Sequence, residues 1–127
     1  MSVLVVAAGG ALGAVSRYLA SGWVQGMSGG LFPWGTAAVN VAGSFVLGFA
    51  VIWLQSTVAS GELRQFVTIG FLGSFTTFST FSFEAVALLR EGAWLRACGY
   101  TAGSVMAGLA AVVVGGVAAT TLLQLRG

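Results

Sequence analysis

The sequence predicts an all-α integral membrane protein of four transmembrane helices, and two observations carry that prediction. Of 127 residues, 57% are hydrophobic and 6% are charged, whereas soluble domains carry about 25% charged residues. Residues 1–16, 18–61, 65–83 and 97–125 contain no charged side chain at all. A spanning helix needs about 20 apolar residues, so the second stretch holds two passes and each of the others holds one. Eight charges cannot cover a water-facing globule of this size. A single domain, 1–127, accounts for the chain.

The first span is expected over Ser2 to Trp23, with Arg17 and Tyr18 near its far end. The apolar start, Met1 to Ala8, lacks the positive n-region of a secretory signal and reads as part of that span, retained in the mature chain. Gly26-Met27-Ser28-Gly29-Gly30 then supplies turn residues, and Pro33, the only proline, suits a helix start. The second span is expected over Trp34 to Leu54, followed by the polar turn Ala59-Ser60-Gly61-Glu62. Spans three and four are expected over Leu63 to Leu89 and Trp94 to Leu125, separated by Arg90-Glu91-Gly92. Trp23, Trp34, Trp53 and Trp94 fall near these ends, as an aromatic belt places them.

Composition excludes several kinds of chemistry. There is no histidine for imidazole metal sites or His-based catalysis, and the one cysteine, Cys98, allows no internal disulfide. With no His beside it, Cys98 reads as a small packing residue. Glu62, Glu84 and Glu91 are the only carboxylates, so an enzyme is not expected. Five arginines spread along a membrane chain form no nucleic-acid patch. Four spans put Arg64 and Arg126 on one side of the bilayer, and Arg90 and Arg96 on the other, with Arg17 joining them if it reaches that interface. So small an asymmetry gives no firm orientation; it permits insertion both ways and leaves the question open.

Twenty glycines need a reason in a helical chain. Small residues let helix backbones approach closely in membranes, and Gly9-xxx-Gly13 and Gly99-xxx-Gly103 are such pairs. So short a chain encloses no pathway comfortably alone, which points to an oligomer. Polar side chains inside hydrocarbon need partners or an aqueous path. In span two, Thr36, Asn40, Gly43 and Ser44 form one small, polar stripe; Asn40 reads equally as interhelical glue or as pathway lining. Span three carries Gly70-Phe71-Leu72-Gly73-Ser74-Phe75-Thr76-Thr77-Phe78-Ser79-Thr80-Phe81-Ser82-Phe83-Glu84. Such a segment can break a helix and free backbone groups to hold an ion, tolerated only inside protein or beside a watery cavity. Thr76, Thr80 and Glu84 recur every fourth residue, while Phe75, Phe78 and Phe81 recur every third. Phenylalanine edges are positive and can meet an anion, although a Phe stripe is also ordinary packing. Tyr100, Ser104 and Gly108 repeat the small, polar pattern in span four. Residue chemistry alone reaches a small oligomeric channel or transporter of unknown substrate.

These residues resemble the small bacterial fluoride channels of the Fluc (CrcB) type, along the whole chain. Gly9-Gly10-Ala11-Leu12-Gly13-Ala14-Val15-Ser16-Arg17-Tyr18 matches the family's GGxxGAxxRY. Gly35-Thr36-Ala37-Ala38-Val39-Asn40-Val41-Ala42-Gly43-Ser44-Phe45 matches GTxxVNxxGxF, and Thr76-Thr77-Phe78-Ser79-Thr80-Phe81-Ser82 matches TTFSTFS. The resemblance implies an antiparallel, dual-topology homodimer with a broken third helix in each subunit. It implies two pores for passive, selective fluoride export across the bacterial inner membrane. It makes Phe78 and Phe81 the ring pair whose edges meet fluoride, with Asn40 in the pore lining and hydroxyls from Ser79, Thr80 and Ser104. Arg17 is then expected at a vestibule, with Thr36, Glu84 and Tyr100 as polar support. A structural Na⁺ at the dimer interface is expected on the backbone carbonyls of Gly73 and Thr76. Ser74 and Gly108 depart from residues common in the family, Gly and Ser respectively.

Two other readings compete. Small four-helix multidrug exporters resemble one another in an essential glutamate of the first helix, and this chain has no acidic residue before Glu62. A non-transporting membrane scaffold explains the glycines and tryptophans but not the hydroxyl–Phe segment of span three.

Overall fold

The computed structural model describes residues 2–127, so Met1 lies outside it. Helix α1 spans Ser2–Ser28 and α2 spans Trp34–Ser56. The third crossing is composite. It begins as α3 (Gly61–Arg64), widens into a π-helical stretch Gln65–Leu72, and tightens to one turn, α4 (Gly73–Phe75). Thr76 and Thr77 are extended, and α5 (Phe78–Arg90) completes the crossing. Helix α6 spans Trp94–Arg126. Four segments, 2–28, 34–56, 61–90 and 94–126, are long and apolar enough to cross a membrane. At 33 residues α6 is about 50 Å long, so it extends past a hydrocarbon core of about 30 Å.

The turns stop the helices by ordinary means. Gly29 and Gly92 take positive φ, the left-handed conformation that ends a helix without a Cβ clash. The first stop falls later than Trp23: Val24-Gln25-Gly26-Met27 continues as helix, and the chain leaves it only at Gly29 with its positive φ. Ser60 caps α3 by accepting the Leu63 N–H at 3.1 Å.

Glycine sets two of the helix crossings. A Cβ on Gly9, Gly13 or Gly70 would run into backbone of the opposing helix, so α1 and the π-helical stretch touch main chain to main chain. Helices α2 and α6 meet the same way, Gly48 against Val112 and Gly115 against Phe45. Gly99 and Gly103 instead face open space, so among the described residues this pair packs against nothing. Cys98 is exposed, and the packing role expected for it is not found. A small cluster of Phe81, Leu88, Ala97 and Tyr100 joins α5 to α6. Much of the remaining apolar surface lies on the outside of the protomer, as lipid or a second copy requires.

The break alters two periodicities expected from sequence. Phe75 stacks on Phe71 at 5.9 Å before the break, whereas Phe78 and Phe81 lie together after it, at 5.9 Å. The three rings are therefore not one stripe. Likewise the Thr76 hydroxyl donates back to the Leu72 carbonyl at 3.1 Å, so the hydroxyl stripe of α5 starts at Thr80. Two extended residues reset the helical phase, which no count along one helix can anticipate.

Candidate ion pathway

The break in the third crossing is held by side chains with matched donors and acceptors. Asn40, on α2, accepts the Thr77 N–H at its Oδ1 (2.7 Å) and donates from Nδ2 to the Thr77 carbonyl (3.0 Å). Its amide thus pairs with the backbone of one residue as a neighbouring strand would. The Thr77 hydroxyl accepts the Thr80 N–H at 3.2 Å, which caps α5. Arg17 reaches from α1 to donate its Nε–H to the Ser74 carbonyl at 3.0 Å. The guanidinium therefore sits at the C-terminal end of α4, where the helix dipole favours a cation.

These bonds divert two amides from the carbonyls they would meet in a continuous helix. The Thr77 N–H goes to Asn40 and leaves the Gly73 carbonyl without its fourth-residue partner. The Thr80 N–H goes to the Thr77 hydroxyl and likewise leaves the Thr76 carbonyl. Gly73 is exposed on the protomer surface. Two free carbonyls beside a helix end suit a small hard cation, which takes oxygen ligands. Among the described residues, no group of three or more Asp, Glu, Cys or His is placed to hold a metal, so any cation here relies on backbone.

Beside the break runs a cleft of about 270 Å³ between α2, α5 and α6. Asn40, Ser44, Thr77, Phe78, Phe81 and Ser104 all line it. The two phenylalanines differ sharply in setting. Phe81 is 9% exposed and its ring meets Tyr100 at 5.1 Å, while Phe78 is 80% exposed on the outside of the protomer. Ser82 turns its hydroxyl to the Phe78 carbonyl at 2.9 Å, and Ser44 bonds the Asn40 carbonyl at 2.7 Å. Ser79 lies 3.5 Å from the Thr77 hydroxyl.

Deeper along α6, Tyr100 is 1% exposed and donates to Glu84 Oε1 at 3.4 Å, with buried Thr36 also within reach of its hydroxyl. Thr36, Glu84 and Tyr100 thus come together as one polar group beside the α5–α6 cluster. A second, smaller hollow of about 240 Å³ opens beside it, lined by Ser21, Gln25, Thr36 and Glu84 among others. Sequence reasoning did not single out Gln25, Thr77 or the π-helical stretch. Thr77 could have been found as the cap before the apolar run of α5.

The chain matches the family model described as CrcB-like protein, Camphor Resistance (CrcB), over residues 4–116. The chain belongs to the CrcB family. It is 48% identical over 122 residues to the fluoride-specific ion channel FluC of Hahella chejuensis, covering 95% of each chain. It is 46% identical to the protein of that name from Opitutus terrae, over 98% of this chain and 96% of that one. Against the one from Geobacter sulfurreducens it is 50% identical, over 76% and 78%. Family membership sets aside the multidrug-exporter reading.

Proposed function

We propose that this CrcB-family chain forms a passive, fluoride-selective channel in the bacterial inner membrane, lowering cytoplasmic fluoride. The observation that carries the reading is the clasped break. It brings two phenylalanines, the Asn40 amide and several hydroxyls to one cleft, with no lysine or arginine lining it. Similarity to relatives named as fluoride-specific channels supplies the ion.

Fluoride is small and strongly hydrated, and burying it unpaired costs tens of kcal/mol by a Born estimate. Conduction requires replacements for lost water that are individually weak. Ring edges of Phe78 and Phe81 present positive hydrogens, and the Ser104 hydroxyl can donate in the cleft, whereas Ser79 and Thr80 stand at the start of α5 outside its lining. Asn40 spends one amide proton on Thr77 and retains a second for the cleft. Thr36, Glu84 and Tyr100 continue the polar path, and Arg17 adds positive potential near the break.

The functional unit of this proposal is an antiparallel, dual-topology homodimer with two pores. Support comes from the near balance of arginines across the membrane and from Phe78, whose ring is left uncovered by one protomer. Na⁺ is proposed on the Gly73 and Thr76 carbonyls of both subunits. When bound it supplies a fixed positive field to the middle of the dimer. The chain's own part is to divert the Thr77 and Thr80 amides and so leave those carbonyls free.

The test is fluoride efflux from liposomes containing the purified protein, read with a fluoride electrode beside a chloride control. Fast fluoride loss with chloride retained is expected; no flux from verified, folded protein returns the chain to the scaffold reading. For topology, an impermeant protease added to one side of native membranes should cut a C-terminal tag in about half of the chains. Complete cutting, or none, overturns dual insertion.

A further inference from the structure

The turn between α1 and α2 is held by one side chain. Gln25, near the end of α1, donates from Nε2 to the carbonyls of Gly30 at 3.1 Å and Phe32 at 3.0 Å. Its Oε1 accepts the Gly35 N–H at 3.0 Å. Both amide protons are thereby used. The third bond has a clear cause. Pro33 stands at the N-cap of α2 and offers no hydrogen-bonding side chain, so an N–H of the first turn needs a partner from elsewhere. Gln25 supplies it from the preceding helix.

What the clasp fixes lies against the polar group described above. The Phe32 ring meets Tyr100 edge-on, with centroids 5.4 Å apart and planes at 86°. Its other neighbour is Trp34, at 4.5 Å. Gly35 precedes Thr36 and has its Cα pressed toward the Ser21 carbonyl, where a Cβ would collide. One glutamine therefore sets both the ring that packs on Tyr100 and the start of the helix that carries Thr36.

We propose that Gln25 is a positioning residue for fluoride permeation. By clasping the 29–35 turn it seats Phe32 on Tyr100, and so holds the Tyr100 hydroxyl against Glu84 and Thr36 at one end of the pathway. The inference rests on the channel reading above. Gln25 touches no ion; it acts through Phe32 and Gly35.

The experiment uses the full chain in liposomes, after wild-type fluoride flux has been established. Gln25→Met keeps length and volume but makes none of the three bonds. Gln25→Glu keeps the acceptor for Gly35 and loses both donors. Each is expected to lower fluoride efflux about tenfold while eluting as the same folded species as wild type. Ser28→Ala, which removes a hydroxyl bonded only to its own helix, is expected to leave flux unchanged. The decisive readout is the cycle with Phe32→Leu. If Gln25 works in part through Phe32, Gln25→Met costs clearly less than its full factor in that background, the remainder being the lost Gly35 bond. Full, multiplied losses in the double variant overturn the proposal, as does wild-type flux in Gln25→Met and Gln25→Glu. Should Gln25→Met fail to fold, the same cycle run with Gln25→Glu decides. Wild-type protein that conducts no fluoride would instead sink the channel reading itself.

Discussion

The two halves of the third crossing are built on opposite principles. Before the break, residues 65–75 press backbone against α1, and glycines on both sides remove any side chain between them. After the break, α5 is held by side chains, chiefly Phe81 and Leu88 against α6, and leaves Phe78 and Phe83 uncovered. The first half has no room to adjust, since main chain meets main chain. The second presents rings and hydroxyls that one protomer does not bury. The contrast suits a rigid seat for a break that turns rings and hydroxyls toward a cleft and toward the outside of the protomer.

The largest expected effect falls on the rigid half. In Gly13→Leu the new side chain starts inside the Phe71 backbone, which cannot yield as a side-chain tip would. Overpacking costs about 1–3 kcal/mol where neighbours can shift and more where they cannot, so little folded protein should be recovered. Gly26→Ala is the control. It meets open space and gains helix propensity, so its yield and melting behaviour should match or exceed wild type. Equal tolerance of both substitutions would break the contrast.

In the second half, the two phenylalanines separate packing from permeation. Phe81→Ala removes a ring from the α5–α6 cluster, and large-to-small aromatic changes in cores cost about 3–5 kcal/mol. A clearly lowered thermal midpoint in detergent is expected. Phe78→Ile changes an exposed ring, so stability of the protomer should shift by no more than about 0.5 kcal/mol. Its fluoride flux should nonetheless fall steeply. Undiminished flux in Phe78→Ile would remove the ring-edge contact from the proposal, and an unshifted midpoint in Phe81→Ala would remove Phe81 from the core.

Much of this organisation was legible in the sequence. Span number and approximate limits followed from charge-free stretches, because the bilayer imposes length and composition together. The break was legible because Gly70, Gly73 and the hydroxyl run from Ser74 to Ser82 sit where leucine and valine would suffice. The π-helical stretch was not, since it arises from how closely Gly9 and Gly13 of another helix let the main chain approach. The Phe stripe was misjudged because two extended residues shift the phase between Phe75 and Phe78. Gln25 escaped notice for a related reason: a clasp across a turn has no period. An uncapped Pro33 was the available signal.

Asn40 joins the halves, and Asn40→Asp tests the join with an intermediate effect. Asp keeps an acceptor for the Thr77 N–H but loses the donor to the Thr77 carbonyl and sets a carboxylate oxygen against it. Leaving a buried polar group unpaired costs about 1–3 kcal/mol. Both a lower midpoint and lost fluoride throughput are expected, the latter because a carboxylate repels the anion. A drop in flux with no change in midpoint would make Asn40 pathway lining alone, and the clasp would then lie elsewhere.

The smallest effect is expected at Thr77, and it bears on the same question from the other side. Its backbone is already held by Asn40; its hydroxyl only caps α5 through the Thr80 N–H. Replacing such a cap by Ala costs about 1 kcal/mol, whereas Thr77→Ser keeps the acceptor and should cost less. The informative readout is the response of thermal stability to Na⁺. With the hydroxyl gone, the Thr80 N–H is free to turn back toward the Thr76 carbonyl and compete for it. If Na⁺ binds as proposed and stabilises the protein relative to a bulky organic cation, Thr77→Ala should lose part of that stabilisation and Thr77→Ser should retain it. If both variants answer Na⁺ as wild type does, the free Thr76 carbonyl has no part in cation binding. The break would then be a device for aiming Phe78 and Phe81 and nothing more.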